Sequence, residues 1–181
     1  MQLTFESLLG LFTGELPIDR VDEANFWKLI AKFDWSKDNN RAIMQPAIDA
    51  LGKLNRETLQ EFDEILAAKL YTLDTRQFAK STGFGDKHYS VDMFLYNRCY
   101  VVANGKSIYG HVLKTPSVMD KNMDFESLLY LTYYAALQQG IDDYSHHTQV
   151  SYETFSNEKG WEAVHFPEGL PPGHLPKYQR K

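Results

Sequence analysis

The sequence has little of several features that mark common classes of protein. One cysteine, Cys99, occurs among 181 residues, so no disulfide can form within the chain, and a reducing compartment is expected. No apolar run approaches the roughly 20 residues needed to cross a bilayer. The first residues have no basic segment ahead of their apolar ones, as a secretory signal would. These absences predict a cytoplasmic protein without a membrane partner.

The chain also has fewer basic than acidic side chains. Lys and Arg number 19 against 24 Asp and Glu, which gives a formal net charge of −5. An acidic chain is a poor match for the phosphates of nucleic acids, so we expect no nucleic-acid partner. Hydrophobic residues make up 43% and aromatic residues 14% of the chain. This composition predicts a folded domain with its own core.

Motifs that would identify an enzyme are missing. The chain has no Gly-x-Ser-x-Gly element, and the glycine-containing segment 81–89 is neither followed by the Gly-Lys-Ser/Thr sequence of a phosphate-binding loop nor preceded by a predicted strand. Asp142 and Asp143 each precede a histidine, His146 or His147, by four residues. On a helix these pairs would share a face suited to a metal ion, but solvated loop histidines are the simpler interpretation. We therefore expect no metal, no cofactor and no catalytic residue.

Helical periodicity dominates the chain and predicts an all-α fold. We expect a compact multi-helix single domain over 1–140 and an irregular, proline-rich C-terminal arm and tail over 141–181. The alternating run 148–155 fits either a short strand or an irregular segment. Helices are predicted at 4–13, 22–33, 36–51, 56–70, 75–80, 90–105, 108–113 and 124–139.

Arg98 interrupts the apolar pattern of the helix that Ser90 is predicted to cap. It lies on the same stripe as Leu95 and Val102, where an unpaired charge would cost several kcal/mol or more. In one interpretation, the guanidinium reaches water or pairs with a structural carboxylate. In the other, it lines a pocket and offers its planar fork to an anionic ligand. The neighbouring Cys99 is expected to be a small core residue.

Other residues can be grouped with Arg98. Three aspartates could converge on the guanidinium, and two aromatic residues could form the wall of a pocket, although Trp27 is equally well explained as a residue at the core's edge. The ligand-binding candidates are Arg98, Asp92, Asp74, Asp63, Tyr96 and Trp27.

An ordered set of motifs over residues 21–140 resembles a bacterial family known as the domain of unknown function 4240. The matching features are Phe26-Trp27 with Leu29-Ile30, Phe62-Asp63-Glu64 with Tyr71 and Asp74, then Ser90, Asp92, Phe94, Arg98, Gly105, Pro116 and Glu126. The chain departs from the family at Leu73, where relatives tend to have an aromatic residue, at Val91, often an acid, and at Tyr100, often a tryptophan. The resemblance implies a helical, bacterial, cytoplasmic protein and directs attention to Asp63, Asp74, Asp92 and Arg98. It implies no particular activity.

The leading hypothesis is a non-catalytic protein-interaction module, with an immunity or antitoxin-like protein as one version. It depends on the acidic charge, the missing catalytic motifs and the aromatic residues of the C-terminal arm, which are typical interface anchors. The alternative is an enzyme or a binder of a small anionic ligand with a pocket around Arg98. The oligomeric state stays open. The aromatic residues in question are Tyr144, Tyr152, Phe155, Trp161 and Phe166.

Overall fold

The computed structural model describes residues 20–84 and 90–161, and within these ranges all regular structure is helical. The prediction of an all-α fold is confirmed. The helices are α1 (Glu23–Ile30), α2 (Asn40–Leu51), α3 (Arg56–Leu73), α4 (Arg76–Ser81), α5 (Val91–Ala103), α6 (Gly105–Lys114), α7 (Leu131–Gln138) and α8 (Glu158–Trp161), with 3-10 helices at Pro116–Val118 and Glu126–Tyr130.

Side-chain caps fix where several helices begin. Asp22, Asn55 and Ser90 accept hydrogen bonds from first-turn amides of α1, α3 and α5, as predicted. The predicted start of α2 at Ser36 is wrong. Asn39 is the cap there, since its side chain accepts from the Ala42 amide at 2.9 Å, whereas the Ser36 hydroxyl donates to Asp34 in the preceding turn.

Gly105 was expected to end a helix because it tolerates positive φ, and with φ of 89° it directly follows Asn104, the C-cap of α5. Two other predicted boundaries in the second half of the chain differ. The helix predicted over 108–113 is longer, since α6 spans Gly105–Lys114. The single helix predicted over 124–139 is a 3-10 helix followed by the shorter α7. The predicted helix 4–13 and the tail beyond residue 161 lie outside the described residues.

The core lies where α3 and α5 pack together, with α1, α2, α6 and α7 around them. Its largest apolar members are phenylalanines from four segments, all almost completely buried: Phe26, Phe62, Phe94 and Phe125. The C-terminal end of α2 approaches α7 so closely that a Cβ on Gly52 would lie 2.6 Å from Gln138 Oε1. This close contact packs α2 tightly against α7.

The described part of the C-terminal arm, residues 141–161, is irregular as far as Asn157 and ends in the single turn α8. The run 148–155 is therefore not a strand. The arm folds back along α3 and α5, so that its side chains contact both of them. In the parts of the chain that the structure describes, no helix has the length and hydropathy required to traverse a bilayer.

Candidate functional site

Arg98 is fully buried on the core-facing side of α5, beside Leu95 and Val102, as its position on the apolar stripe predicts. Its Nη1 donates to the Leu70 carbonyl oxygen at 3.0 Å, and its Nη2 donates to Thr154 Oγ1 at 2.9 Å. The guanidinium carbon also lies 4.8 Å from the centre of the Phe94 ring. The charge is thus held by protein groups on several sides.

Asp74 supplies the opposite charge. It follows the last residue of α3, its side chain is fully buried, and its Oδ1 lies 3.9 Å from Arg98 Nη1. The carboxylate accepts hydrogen bonds from the amides of Phe155 (3.2 Å) and Asn157 (3.0 Å). The Trp161 indole nitrogen donates to it as well, at 3.0 Å. Three donors from the arm therefore converge on one buried carboxylate, which offsets the cost of its desolvation.

Two further polar side chains of the arm complete this arrangement, and neither was predicted. The Thr154 hydroxyl, which accepts from Arg98, donates to the Val91 carbonyl oxygen at 2.8 Å. The Asn157 side-chain amide donates to the Tyr71 carbonyl oxygen at 3.1 Å. We call this group the Arg98–Asp74 cluster. Its members are Arg98, Asp74, Thr154, Asn157 and Trp161.

The other residues grouped with Arg98 lie elsewhere. Asp92 is exposed in the first turn of α5. The Tyr96 hydroxyl donates to Glu126 Oε1 at 3.1 Å. Trp27 is buried at the core, where its indole donates to Glu23 at 3.3 Å. Of the three aspartates considered, Asp74 is the one that the structure brings to the guanidinium.

Asp63 belongs to a second polar site, which also lies between α3 and the arm. Thr132 Oγ1 donates to its Oδ1 at 2.8 Å, and the Tyr144 hydroxyl donates to its Oδ2 at 2.7 Å. Burial raises the pKa of the Asp63 carboxyl above its usual value, although both hydroxyls act in the opposite direction. Burial and the nearby Asp63 raise the pKa of the Tyr144 hydroxyl, which keeps its proton available for donation.

This carboxylate lines a cleft of about 170 Å³. The cleft is bordered by polar and aromatic side chains from α3, α7 and the arm, and it reaches solvent beside the exposed Tyr133. We call it the Asp63 cleft. Its lining includes Asp63, Thr132, Tyr133, Tyr144, His146 and Tyr152.

His146 lies at this cleft, with its Nε2 2.7 Å from Glu64 Oε1. Glu64 also accepts from the Gln149 amide at 3.0 Å. The chain around His146 is not helical, so the four-residue spacing to Asp142 does not create the shared helical face that a metal site there would need. Within 20–84 and 90–161, no group of three or more His, Cys, Asp or Glu side chains could hold a metal ion.

Cys99 is the small core residue that was predicted. It is fully buried on α5, and burial raises the pKa of its thiol to about 12. A thiol with so high a pKa is almost entirely protonated at neutral pH, and the thiolate is the nucleophilic form. Cys99 is therefore a packing residue.

The exposed side of α7 and the 3-10 helix before it carries an unusual set of side chains. Tyr130 is 46%, Tyr133 36% and Leu137 39% exposed. The Tyr134 ring centre lies 6.3 Å from that of Tyr130 and 5.9 Å from that of Tyr133. The Arg41 guanidinium carbon lies 3.9 Å from the centre of the Tyr134 ring. We call this surface the tyrosine face. It consists of Arg41, Tyr130, Tyr133, Tyr134 and Leu137.

The aromatic residues of the arm, in contrast, pack inward. The rings of Phe155 and Trp161 are 4.6 Å apart, and Trp161 also contacts Phe84 at 5.6 Å and Phe94 at 6.0 Å. Tyr144 is buried at the cleft. These residues therefore attach the arm to the core, whereas the exposed tyrosines of the tyrosine face come from α7 and the 3-10 helix before it. Phe166 lies outside the described residues.

Residues 21–138 match the model of a family described as "Protein of unknown function (DUF4240)", which confirms the resemblance. No curated protein and no solved structure matches the chain. The matched segment includes Asp63, Asp74 and Arg98, whereas their partners Thr154 and Tyr144 lie beyond it.

Proposed function

We propose that this chain, which belongs to the DUF4240 family, is a protein-binding module that contacts its partner through the tyrosine face. The supporting observation is that Tyr130, Tyr133 and Leu137 are exposed on one side of α7 and the 3-10 helix before it, next to Tyr134, which contacts Arg41 of α2. Tyrosine and arginine are over-represented among the residues that contribute most to binding between proteins.

The physical properties of these side chains suit an interface. A tyrosine offers a large apolar ring and a hydroxyl, and it has few rotatable bonds to immobilise. Tyr134 is held in contact with Arg41 and with two other tyrosines, so part of the entropy cost of ordering these rings is already met in the free protein.

The charge of the chain indicates what kind of partner to expect. With a net charge of −5, the protein would associate faster with a basic partner than with an acidic one. An immunity or antitoxin-like protein, which covers a basic surface of another protein, is one form of this function. The proposal assigns no catalytic role to any residue.

The alternative of an anionic ligand at Arg98 has less support. The guanidinium already donates to Leu70 and Thr154 and lies near Asp74. A ligand could reach it only by displacing the arm, with the loss of the hydrogen bonds that residues 154–161 make to α3 and α5.

The experiment is affinity capture from the native host at native expression, with three forms of the protein. The test variant is Tyr130→Ala/Leu137→Ala, which leaves every residue of the cleft in place. The control is Ile108→Ala/Leu113→Ala on α6, whose residues are 43% and 39% exposed, matching the 46% and 39% of the test pair. We expect the wild type and the control to retain the same partner.

Capture by the test variant should fall at least about tenfold, since interface anchors each contribute about 1 kcal/mol or more. The purified partner then allows the affinity to be measured by calorimetry. The proposal is overturned if no partner rises above background, or if both double variants bind the partner equally.

A further inference from the structure

The Asp63 cleft has a chemistry of its own, distinct from that of the tyrosine face. We propose that it is a binding site for an organic primary ammonium group, the group found on alkylamines and on lysine side chains. The proposal concerns a ligand site and does not depend on a protein partner for the tyrosine face.

The cleft contains a carboxylate, that of Asp63, and the basic side chain in the cleft lining, His146, is hydrogen-bonded to Glu64 instead. Within the described residues, no lysine or arginine forms an ion pair with Asp63. Its two oxygens accept one hydrogen bond each, from Thr132 and Tyr144. A carboxylate has about four acceptor positions, so further donors can be accepted. An ammonium group has three N–H donors and a positive charge to supply.

Aromatic side chains at the cleft also favour a cation as its ligand. Tyr133, Tyr144 and Tyr152 border the cleft, and the faces of aromatic rings attract cations. Tyr144 already has a cation near it, because the Arg56 guanidinium carbon lies 5.6 Å from its ring centre. Tyr133 and Tyr152 are therefore the rings available to a ligand.

The volume of the cleft sets the size of the group. A cavity of about 150 Å³ accommodates a molecule as large as benzene, so the 170 Å³ cleft has room for an ammonium with a short alkyl stem. Lysine has such a four-carbon stem. Leu66 and Leu129 also line the cleft and offer apolar surface to the methylene groups, while the nitrogen lies toward Asp63.

Other ligand classes fit less well. An anion would be repelled by Asp63 and by the adjacent Glu64. A neutral alcohol would donate a hydrogen bond without compensating the carboxylate charge. Burial raises the pKa of Asp63, which means that its ionised form is poorly solvated, and a bound cation would restore part of the lost interaction.

The test is an NMR titration of the ¹⁵N-labelled full chain with n-butylammonium chloride, at constant ionic strength. n-Butanol, which has a hydroxyl in place of the ammonium, is the matched neutral probe. Three proteins are compared: the wild type, Asp63→Asn, and Asp142→Asn, which removes an exposed carboxylate from the same arm. Asparagine keeps the shape of Asp63 and an oxygen that accepts from Thr132 or Tyr144.

We expect saturable shifts at amides of residues 129–133 and 144–146 with butylammonium, in the wild type and in Asp142→Asn. Binding to Asp63→Asn should be at least about tenfold weaker, and so should binding of butanol to the wild type. As a second variant, Tyr152→Leu keeps an apolar wall but removes a ring, and it should bind butylammonium several-fold less tightly. Equal affinity in Asp63→Asn, equal affinity for butanol, or shifts that do not saturate would overturn the proposal.

Two further measurements identify the source of the ammonium group and distinguish this site from the tyrosine face. An acetylated Gly-Lys-Gly amide that binds as tightly as butylammonium indicates a protein side chain, and a peptide that binds much more weakly indicates a free amine. The Tyr130→Ala/Leu137→Ala variant should bind butylammonium like the wild type. A loss of protein capture in that variant therefore leaves the ammonium result unaffected.

Discussion

The Arg98–Asp74 cluster and the Asp63 cleft are built from the same parts and behave differently. In each, an aspartate that lies in α3 or directly after its last residue accepts a hydrogen bond from a side chain of the C-terminal arm. At the cluster, the carboxylate is sealed against a guanidinium and accepts from three N–H groups. At the cleft, the carboxylate accepts hydrogen bonds from two hydroxyl groups and faces an open space of about 170 Å³.

The comparison shows that residue type does not assign a role to a buried acid. Asp74 has an opposite charge and a full set of donors, so its role is to attach the arm to the helices. Asp63 has neither an ion-pair partner nor a full set of donors among the described residues, which leaves it able to interact with a ligand. Removing a partner at the cluster should therefore change stability strongly, and at the cleft only weakly.

The largest expected effect comes from Asp74→Ala. This change leaves the buried Arg98 charge without its counterion and removes the acceptor of three arm donors. Loss of one member of a buried ion pair typically costs about 3–5 kcal/mol, and a domain's total free energy of unfolding is about 5–15 kcal/mol. Urea denaturation followed by circular dichroism at pH 7 measures this loss of unfolding free energy.

Asp142→Ala is the control, because that exposed side chain lies in the same arm and should change stability by less than about 0.5 kcal/mol. Asp74→Asn keeps the shape of the side chain and one acceptor oxygen, so its loss of stability should fall between those of Asp74→Ala and Asp142→Ala. If Asp74→Ala costs no more than the control, the cluster is not what attaches the arm.

A smaller loss is expected from Thr154→Val, which keeps the shape of the side chain and removes its hydroxyl. Arg98 Nη2 and the Val91 carbonyl oxygen then lose the partner they share. An unsatisfied buried polar group costs about 1–3 kcal/mol. The same denaturation assay applies, with Thr72→Val as the control, since the Thr72 side chain is exposed and its hydroxyl donates to the Ala68 carbonyl oxygen within α3.

The smallest effect, and the one with a pH signature, is expected from Asp63→Asn. The raised pKa of Asp63 means that the folded state favours the protonated carboxyl. The resulting stabilisation is complete below the pKa of the unfolded chain, about 3.9, and is lost as pH rises through the higher folded value. Asparagine has no such loss, so the variant should gain stability relative to the wild type as pH increases.

Denaturation of both proteins at several values between pH 4 and pH 7 measures this difference. Glu64, His146, Tyr144 and Tyr152 are charged or titratable groups near Asp63 and are present in both proteins, so the difference reports Asp63 together with its interactions with them. A difference that shrinks with rising pH would contradict the assigned shift.

The sequence was informative where helical periodicity applies. The position of Arg98 on the stripe of Leu95 and Val102 indicated a guanidinium in need of a partner, and of the alternatives left open the structure shows pairing with a carboxylate, that of Asp74. Helix geometry could also have shown that two of the candidate aspartates, Asp63 and Asp74, lie at different sites. Asp63 and Asp74 are eleven residues apart at about 1.5 Å of rise per residue, so roughly 16 Å separates them along α3.

The partners from the arm could not be predicted in the same way. Thr154, Asn157 and Tyr144 lie in a segment without regular period, and a lone threonine or asparagine there is typical of any loop. Their contacts to Arg98, Asp74 and Asp63 span 56 to 83 residues of sequence. The same limitation explains why the exposed aromatic surface was assigned to the arm instead of α7.

The dependence of Arg98 on Thr154 has a consequence for the order in which the protein folds. During synthesis α3 and α5 leave the ribosome first, and the hydroxyl that Arg98 binds follows 56 residues later. Until then the guanidinium is better solvated outside the core, which opposes early closure of α5 onto α3. Because contacts so distant in sequence form slowly, we expect the nascent chain to reach its native state only after the arm has been synthesised.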